Sequence, residues 1–196
     1  MAITIREGNL QDAAAIAHVH VQSWKTTYPG IVPAAFLDAL HEEELTEKWK
    51  QWFLTAPMSV FVAEDENGIF GFANGGALRG QVAEYDAELY AIYLLQVAQR
   101  QGAGRSLTQA MAAALHKKGF KHMLVWVLEQ NPSAGFYQHL GAVPVARRMI
   151  DLGGIALPEL ALGWSTLDGL LTESPIEGQT DSQTDSPSPE AARRAS

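Results

Sequence analysis

Glu88-Leu89-Tyr90-Ala91-Ile92-Tyr93-Leu94-Leu95-Gln96-Val97-Ala98-Gln99-Arg100-Gln101-Gly102-Ala103-Gly104-Arg105-Ser106-Leu107 sets a strand, a glycine-bearing turn and a helix start in immediate succession. Residues 88 to 95 have the apolar and aromatic content of a strand. A helix N-terminus exposes unpaired N–H groups and the positive end of its dipole, and glycines at 102 and 104 let the backbone approach a bulky oxyanion. Arg100 and Arg105 add positive charge, so a diphosphate is the natural guest. No Gly-Lys-Ser/Thr follows, which excludes a Walker loop, and the third glycine of a dinucleotide fingerprint is missing.

Outward from this segment, Leu107, Met111, Ala114 and Leu115 continue one helical face, and Gly119 supplies the stop. Met123 to Leu128 is an apolar run of strand length, 132–140 a short helix, and 142–149 and 155–163 two further strands. Upstream, 59–63 and 69–76 read as strands, with turns at Gly68 and around Glu84 to Asp86. Ile3 to Arg6 alternates like a short strand, and Asn9 stands where a helix cap belongs. Ala13, Ile16, Ala17, His20 and Trp24 follow at helical spacing. Thr27 to Pro33 is a turn-rich connection, after which 36–40 and 45–53 form one or two helices. Early helices, a meander, then strand-helix-strand-helix-strand predict a mixed α/β domain around one mostly antiparallel central sheet.

A second constellation, Leu128 to Ala142, first reads as plain helix architecture. Asn131 is an N-cap, Pro132 fits the first helical position, Phe136 and Leu140 make an i, i+4 core pair, and Gly141 ends the helix.

With 196 residues and 47% apolar content, the chain supports one domain, over 3–171. The N-terminus lacks a basic segment followed by an apolar one, and no run of roughly 18 apolar residues occurs. A soluble, unprocessed protein without membrane partners is expected. The chain has no cysteine, which removes disulfides, thiolate metal sites and a cysteine acyl-enzyme, and fits a reducing, cytoplasmic setting. A net charge of −8 argues against nucleic acid. From 172 to 196 the chain is acidic and rich in Ser, Thr and Pro, with Gln-Thr-Asp-Ser at 179–182 and again at 183–186, and it reads as a disordered tail.

Gln99, Gly102 and Gly104 in their strand-turn-helix setting resemble the acetyl-CoA signature of the GNAT superfamily of N-acetyltransferases, Gln/Arg-x-x-Gly-x-Gly/Ala. Asn131, Ala134, Phe136, Tyr137 and Gly141 resemble the later motif of the same superfamily, one helix and one strand downstream. The chain departs from the pattern at Gln96 and Val97, where the family often has Pro and Glu. The resemblance covers 3–167 and implies a GNAT fold with a splayed pair of strands. The pantetheine arm of acetyl-CoA would lie in the gap as an added strand would.

By the same resemblance, Leu94 and Leu95 offer backbone groups to that arm, and one of their N–H groups polarises the acetyl carbonyl. Gln99, Arg100, Gly102, Ala103, Gly104, Arg105 and Ser106 surround the diphosphate, and Asn131 contacts the cofactor. Tyr137 faces the sulfur and serves as general acid, with water as its rival. Glu88, at the start of the cofactor strand, is the candidate base acting through water, with Glu84 and Asp86 attracting a cationic amine at the mouth. The alternative is that these three carboxylates form a solvated turn.

Without a cysteine nucleophile, direct attack within a ternary complex is the simplest scheme. The acceptor is then an amine of a small molecule, an amino acid or a peptide. A catalytically inactive acyl-CoA-binding sensor or interaction module is the competing reading. The resemblance also admits a homodimer through the C-terminal strands. His18, His20, His41, His116, His122 and His139 show no metal-ligand spacing, so no metal is expected. Trp24 suits core packing, Tyr28 either core or the acceptor groove.

Overall fold

The structure, a computed structural model, describes residues 2–171. The expected acidic tail over 172–196 lies outside the described residues. Strand β1 (Thr4–Glu7) is held by charge as well as by pairing, since the Arg6 guanidinium donates to both Asp12 and Glu64 at 2.8–3.0 Å. Those bonds hold the Asp12 carboxyl below its ordinary range. Asp12 also accepts from the Asn9 N–H, and the Asn9 side chain accepts from Gln11, so Asn9 caps a 3₁₀ turn that leads into α1 (Ala13–Thr27).

Then come α2 (Ala34–Asp38) and α3 (Glu42–Thr55), the latter three residues ahead of the apolar periodicity because Glu42, Glu43 and Glu44 suit a helix N-terminus. The remaining order is β2 (Ser59–Asp65), β3 (Gly68–Ala77), β4 (Ala87–Leu94), α4 (Ala103–Lys117), β5 (Met123–Leu128), α5 (Ala134–His139), β6 (Val143–Leu152), β7 (Ile155–Trp164) and α6 (Asp168–Leu171).

The strands form one seven-stranded sheet in the order β1-β2-β3-β4-β5-β7-β6. Every neighbouring pair is antiparallel except β4 and β5, whose parallel pairing requires the α4 crossover. On one face, Leu107, Met111 and Leu115 of α4 pack on Leu89 and Val125. On the other, Ile16 and Val19 of α1 and Trp49 of α3 cover Val62 and Phe72. Tyr28, Val32 and Leu37 pack on Leu128 and Leu157 beside them. Trp49, Phe72 and Leu107 are fully buried, so truncating any of them to alanine would cost roughly 2–5 kcal/mol.

The feature that shapes the site is a bulge. Pairing between β3 and β4 runs from Gly71 with Leu94 to Asn74 with Ala91, skips Tyr90, and resumes at Gly75 with Leu89. An extra residue on one strand bends it and sharpens its twist. Pairing of β4 with β5 ends at Leu89 with Val125, one residue before the bulge. Beyond that point β4 leaves β5, and the sheet parts in its middle. The bulge also exchanges faces: Leu89 points into the α4 core, whereas Ala91 and Tyr93 join the α1 and α3 side.

Candidate functional site

The parted strands bound a cavity of about 620 Å³. Tyr90 to Leu94 of β4 and Val125 to Leu128 of β5 form its opposite walls, α1 and α5 close its sides, and Ile150, Leu152 and Glu159 of the β6–β7 hairpin complete it. Of the residues expected to hold a cofactor, Leu94, Gln99, Arg100, Gly102, Gly104, Arg105 and Asn131 line this one cavity. They come from a strand end, a turn, a helix N-terminus and a loop after β5.

The turn is built for close approach. Gly102 precedes α4 with φ of +87°, and Arg100 takes φ of +63°, a left-handed conformation that is uncommon for a side chain of its size. A Cβ on Gly104 would stand 3.2 Å from the Phe136 ring and 3.3 Å from Leu94, so a larger residue would press the Phe136 and Leu94 side chains back by a few tenths of an ångström. That turn presents N–H groups without intrahelical partners, and the Arg100 and Arg105 charges stand beside it.

Three expected residues do not join the cavity lining. Leu95 donates its N–H to the Phe70 carbonyl of β3. Ala103 is buried in the core cluster under α4, and the Ser106 N–H is already given to the Gly102 carbonyl. The Leu95 bond has a consequence for its neighbour. Backbone groups of successive strand residues point to opposite edges, so Leu94 turns its own toward the gap. There its carbonyl accepts from Ser23 Oγ at 3.2 Å and from Gln99 Nε2 at 3.3 Å.

Asn131 does not cap α5 directly, because the helix starts only at Ala134. Its Oδ1 accepts from the Ser133 N–H at 2.8 Å, an Asx turn, while its Nδ2 donates to the Tyr28 hydroxyl at 3.1 Å. Gly141, with φ of +85°, ends α5 as expected. On α5 the Tyr137 ring packs edge-on against Phe136 and Trp164, with centroids at 5.1 and 6.3 Å. Burial pushes its phenol well above the ordinary value, and the nearby Tyr28 adds to the effect. Burial likewise raises the Tyr28 and Tyr93 hydroxyls, and the Glu159 carboxylate raises Tyr28 further through space. Tyr28 thus stands close to Tyr93, Tyr137 and Glu159.

Glu88 requires a correction. It sits where β4 is still paired with β5, its side chain is 2% exposed, and it does not line the cavity. Both oxygens are taken by Arg79, through the backbone N–H at 3.0 Å and through the guanidinium, which also lies 4.0 Å over the Tyr90 ring. Its partner is an arginine across a turn, so no water-linked base is offered to the gap. Asp86 is also structural, accepting from the Lys121 and His122 N–H groups at the entry to β5. Glu84 holds a turn position with φ of +69°.

The carboxylate that does reach the cavity is Glu159, a residue the motifs do not pick out. Its signal is modest: on β7 it shares a sheet face with Leu157 and Ala161, a lone charge on an apolar face. Arg148 holds it at 2.7 Å and stacks 4.0 Å over Trp126. Trp24 and Tyr28, 4.7 Å apart by ring centroids, both line the cavity. Among the described residues no group of histidine and carboxylate side chains is placed to hold a metal ion, and no helix is long and apolar enough to cross a membrane.

The profile of the Acetyltransferase (GNAT) family matches residues 21–142. The uncharacterized N-acetyltransferase YuaI of Bacillus subtilis is 48% identical over 171 residues, covering 87% of this chain and 97% of that protein. Among solved structures, an N-acetyltransferase from Staphylococcus aureus superposes with a TM-score of 0.67 at 19% identity, covering 85% of this chain and 99% of that one. The PaiA N-acetyltransferase of Thermoplasma acidophilum, in complex with coenzyme A, superposes with a TM-score of 0.59 at 21% identity, covering 82% and 98%.

Proposed function

The chain belongs to the GNAT acetyltransferase family, and from that premise we propose that it transfers the acetyl group of acetyl-CoA to a primary amine by direct attack in a ternary complex. The single observation that carries the reading is the parting of β4 from β5 beyond Leu89, with a helix start suited to an anion at one side of the gap and the Tyr137 phenol in its wall.

The residues fit the donor. Arg100, Arg105 and the first turn of α4 suit a diphosphate, and Gly104 keeps the wall low enough for it to approach. Acetyl-CoA supplies the activated thioester. Leu94, whose backbone faces the gap, is the candidate donor to the developing oxyanion. Attack by the amine nitrogen forms the C–N bond as the C–S bond breaks, and the departing thiolate needs a proton. Tyr137 lines the cavity with a hydroxyl that is protonated throughout the working pH range and so can give that proton, while burial makes it the weaker acid and keeps water as its rival. An alkyl ammonium, with pKa ~10.4, must first lose a proton, and the cavity is open enough for water to take it. The absence of cysteine supports a reducing, cytoplasmic setting for this chemistry.

The test is thiol release from acetyl-CoA across a panel of amines, beside calorimetric binding of CoA. Amine-dependent release with intersecting initial-velocity lines is the expected result. Tight CoA binding with no release across the panel would instead favour an acyl-CoA sensor.

A further inference from the structure

We infer that Glu159 is the acceptor-recognising residue, receiving the ammonium of a primary monoamine with an aromatic or branched apolar body and no carboxylate beside the amine. The inference deepens the proposed acetyl transfer and rests on it.

Glu159 is the only carboxylate in the cavity wall among the described residues. Its side chain is 12% exposed, so the charge is largely removed from bulk water. Both Arg148 contacts, from the guanidinium Nε and a terminal nitrogen, fall on the same oxygen, Oε2, at 2.7 Å. Oε1 has no partner among the described residues. Oε1 is therefore open to the cavity, and an ammonium N–H would meet it with a charge-assisted bond.

The surroundings select what the ammonium is attached to. Leu128 stands directly opposite Glu159 on β5, Trp24, Trp126, Ile150 and Leu152 line the same cavity, and together they suit an aromatic or branched body. The permanent cations in the cavity lining are Arg100 and Arg105, which belong to the diphosphate end at the start of α4, and the imidazole of His139 on α5 lines it as well. Arg148 itself does not line the cavity, lying over Trp126 instead. An α-carboxylate on the acceptor would therefore meet Glu159 with its one neighbouring cation, Arg148, already bound to Glu159 and outside the cavity lining. A second ammonium, as in a polyamine, would meet apolar side chains. The site thus favours a monoamine over an amino acid of the same shape.

The test uses the full chain loaded with CoA. Trp24 and Trp126 line the cavity, so intrinsic fluorescence reports occupancy. Titration with 2-phenylethylamine should saturate, and phenylalanine should bind at least about tenfold more weakly. With acetyl-CoA present, E159Q should raise KM for 2-phenylethylamine about tenfold or more. It should leave KM for acetyl-CoA unchanged and narrow the preference over phenylalanine, while E159D restores part of the loss. A merely structural role for Glu159 would lower the melting temperature without moving that preference. Equal binding of the two ligands, or an unchanged preference in E159Q, would overturn the inference. Release of CoA with phenylalanine or a peptide above that with 2-phenylethylamine would overturn it and leave acetyl transfer intact. Absence of release with every amine would overturn the transfer reading and this inference with it.

Discussion

The Nδ2 group of Asn131 donates to the hydroxyl of Tyr28 at 3.1 Å, a bond that spans 103 positions of the chain and joins the end of α1 to the loop before α5. Both residues line the cavity and are largely buried. A neutral buried hydrogen bond of this kind is worth about 1 kcal/mol. Tyr28→Phe should lower unfolding free energy by about that amount. Asn131→Ala also loses the turn to Ser133 and should cost about 2 kcal/mol. A double-mutant cycle by chemical denaturation should return a coupling of about 0.5–1.5 kcal/mol. Additive losses would mean that the bond does not form in solution.

Tyr137→Phe separates chemistry from architecture. The ring contacts with Phe136 and Trp164 survive the change, so the melting temperature should hold. Turnover at saturating substrates should fall by about 10²-fold or more, with affinity for CoA unchanged. Because burial raises the Tyr137 phenol, the wild-type rate should show no loss on the alkaline side up to about pH 10 that the variant lacks. Unchanged turnover would hand the proton to water.

Glu88 and Arg79 form the pair that the gap does not use. Arg79→Ala leaves a carboxylate that is 2% exposed without its guanidinium, and the stability loss should be roughly 3 kcal/mol. Glu88→Gln should shift stability less and leave the pH profile of kcat/KM in place. A lost acid limb in Glu88→Gln would restore Glu88 as the base.

His20 predicts a pH dependence of stability. Its ring stacks on Tyr93 with centroids 5.0 Å apart, and its Nδ1 is buried without a partner. Burial lowers its pKa to about 4. The unfolded chain takes up a proton at this residue below pH ~6.5 while the folded chain does not, so this contribution is complete above pH ~6.5 and is lost as pH falls toward 4. The loss should reach roughly 3 kcal/mol at pH 4, and His20→Phe should flatten that part of the curve. A slope that persists in His20→Phe would assign it to the carboxylates.

How far these features were legible in the sequence depends on the range of the interaction that makes them. The stripe Leu107, Met111 and Leu115 announces α4, and Gly102 and Gly104 announce its special start, because each is a local choice of residue. The bulge at Tyr90 is different. One extra residue leaves the apolar character of 88–95 intact, and only the registers with β3 and β5 reveal it. Glu88 as a base acting through water rests on its place at the start of the strand, and nothing within the strand says which end is parted or that Arg79 stands across the turn. Of Leu94 and Leu95, only backbone alternation decides which faces the gap, and Asn131 stands two residues before the cap of α5. Glu159 lay outside every motif, since it reaches the cavity only through the packing of β7 beside β5.

The central claim is that the gap beyond Leu89 holds the donor, and amide hydrogen exchange with and without CoA tests it most directly. By alternation from Leu95, the N–H groups of Ile92 and Leu94 face the gap, and those of the first turn of α4 lack helical partners. Saturating CoA should slow exchange at Ile92 to Leu94, at Gly102 to Arg105 and around Asn131. The groove lined by Trp52 and Lys118, of about 510 Å³, should be unaffected. Protection confined to that groove, or CoA bound with no protection along β4 and the start of α4, would contradict the account.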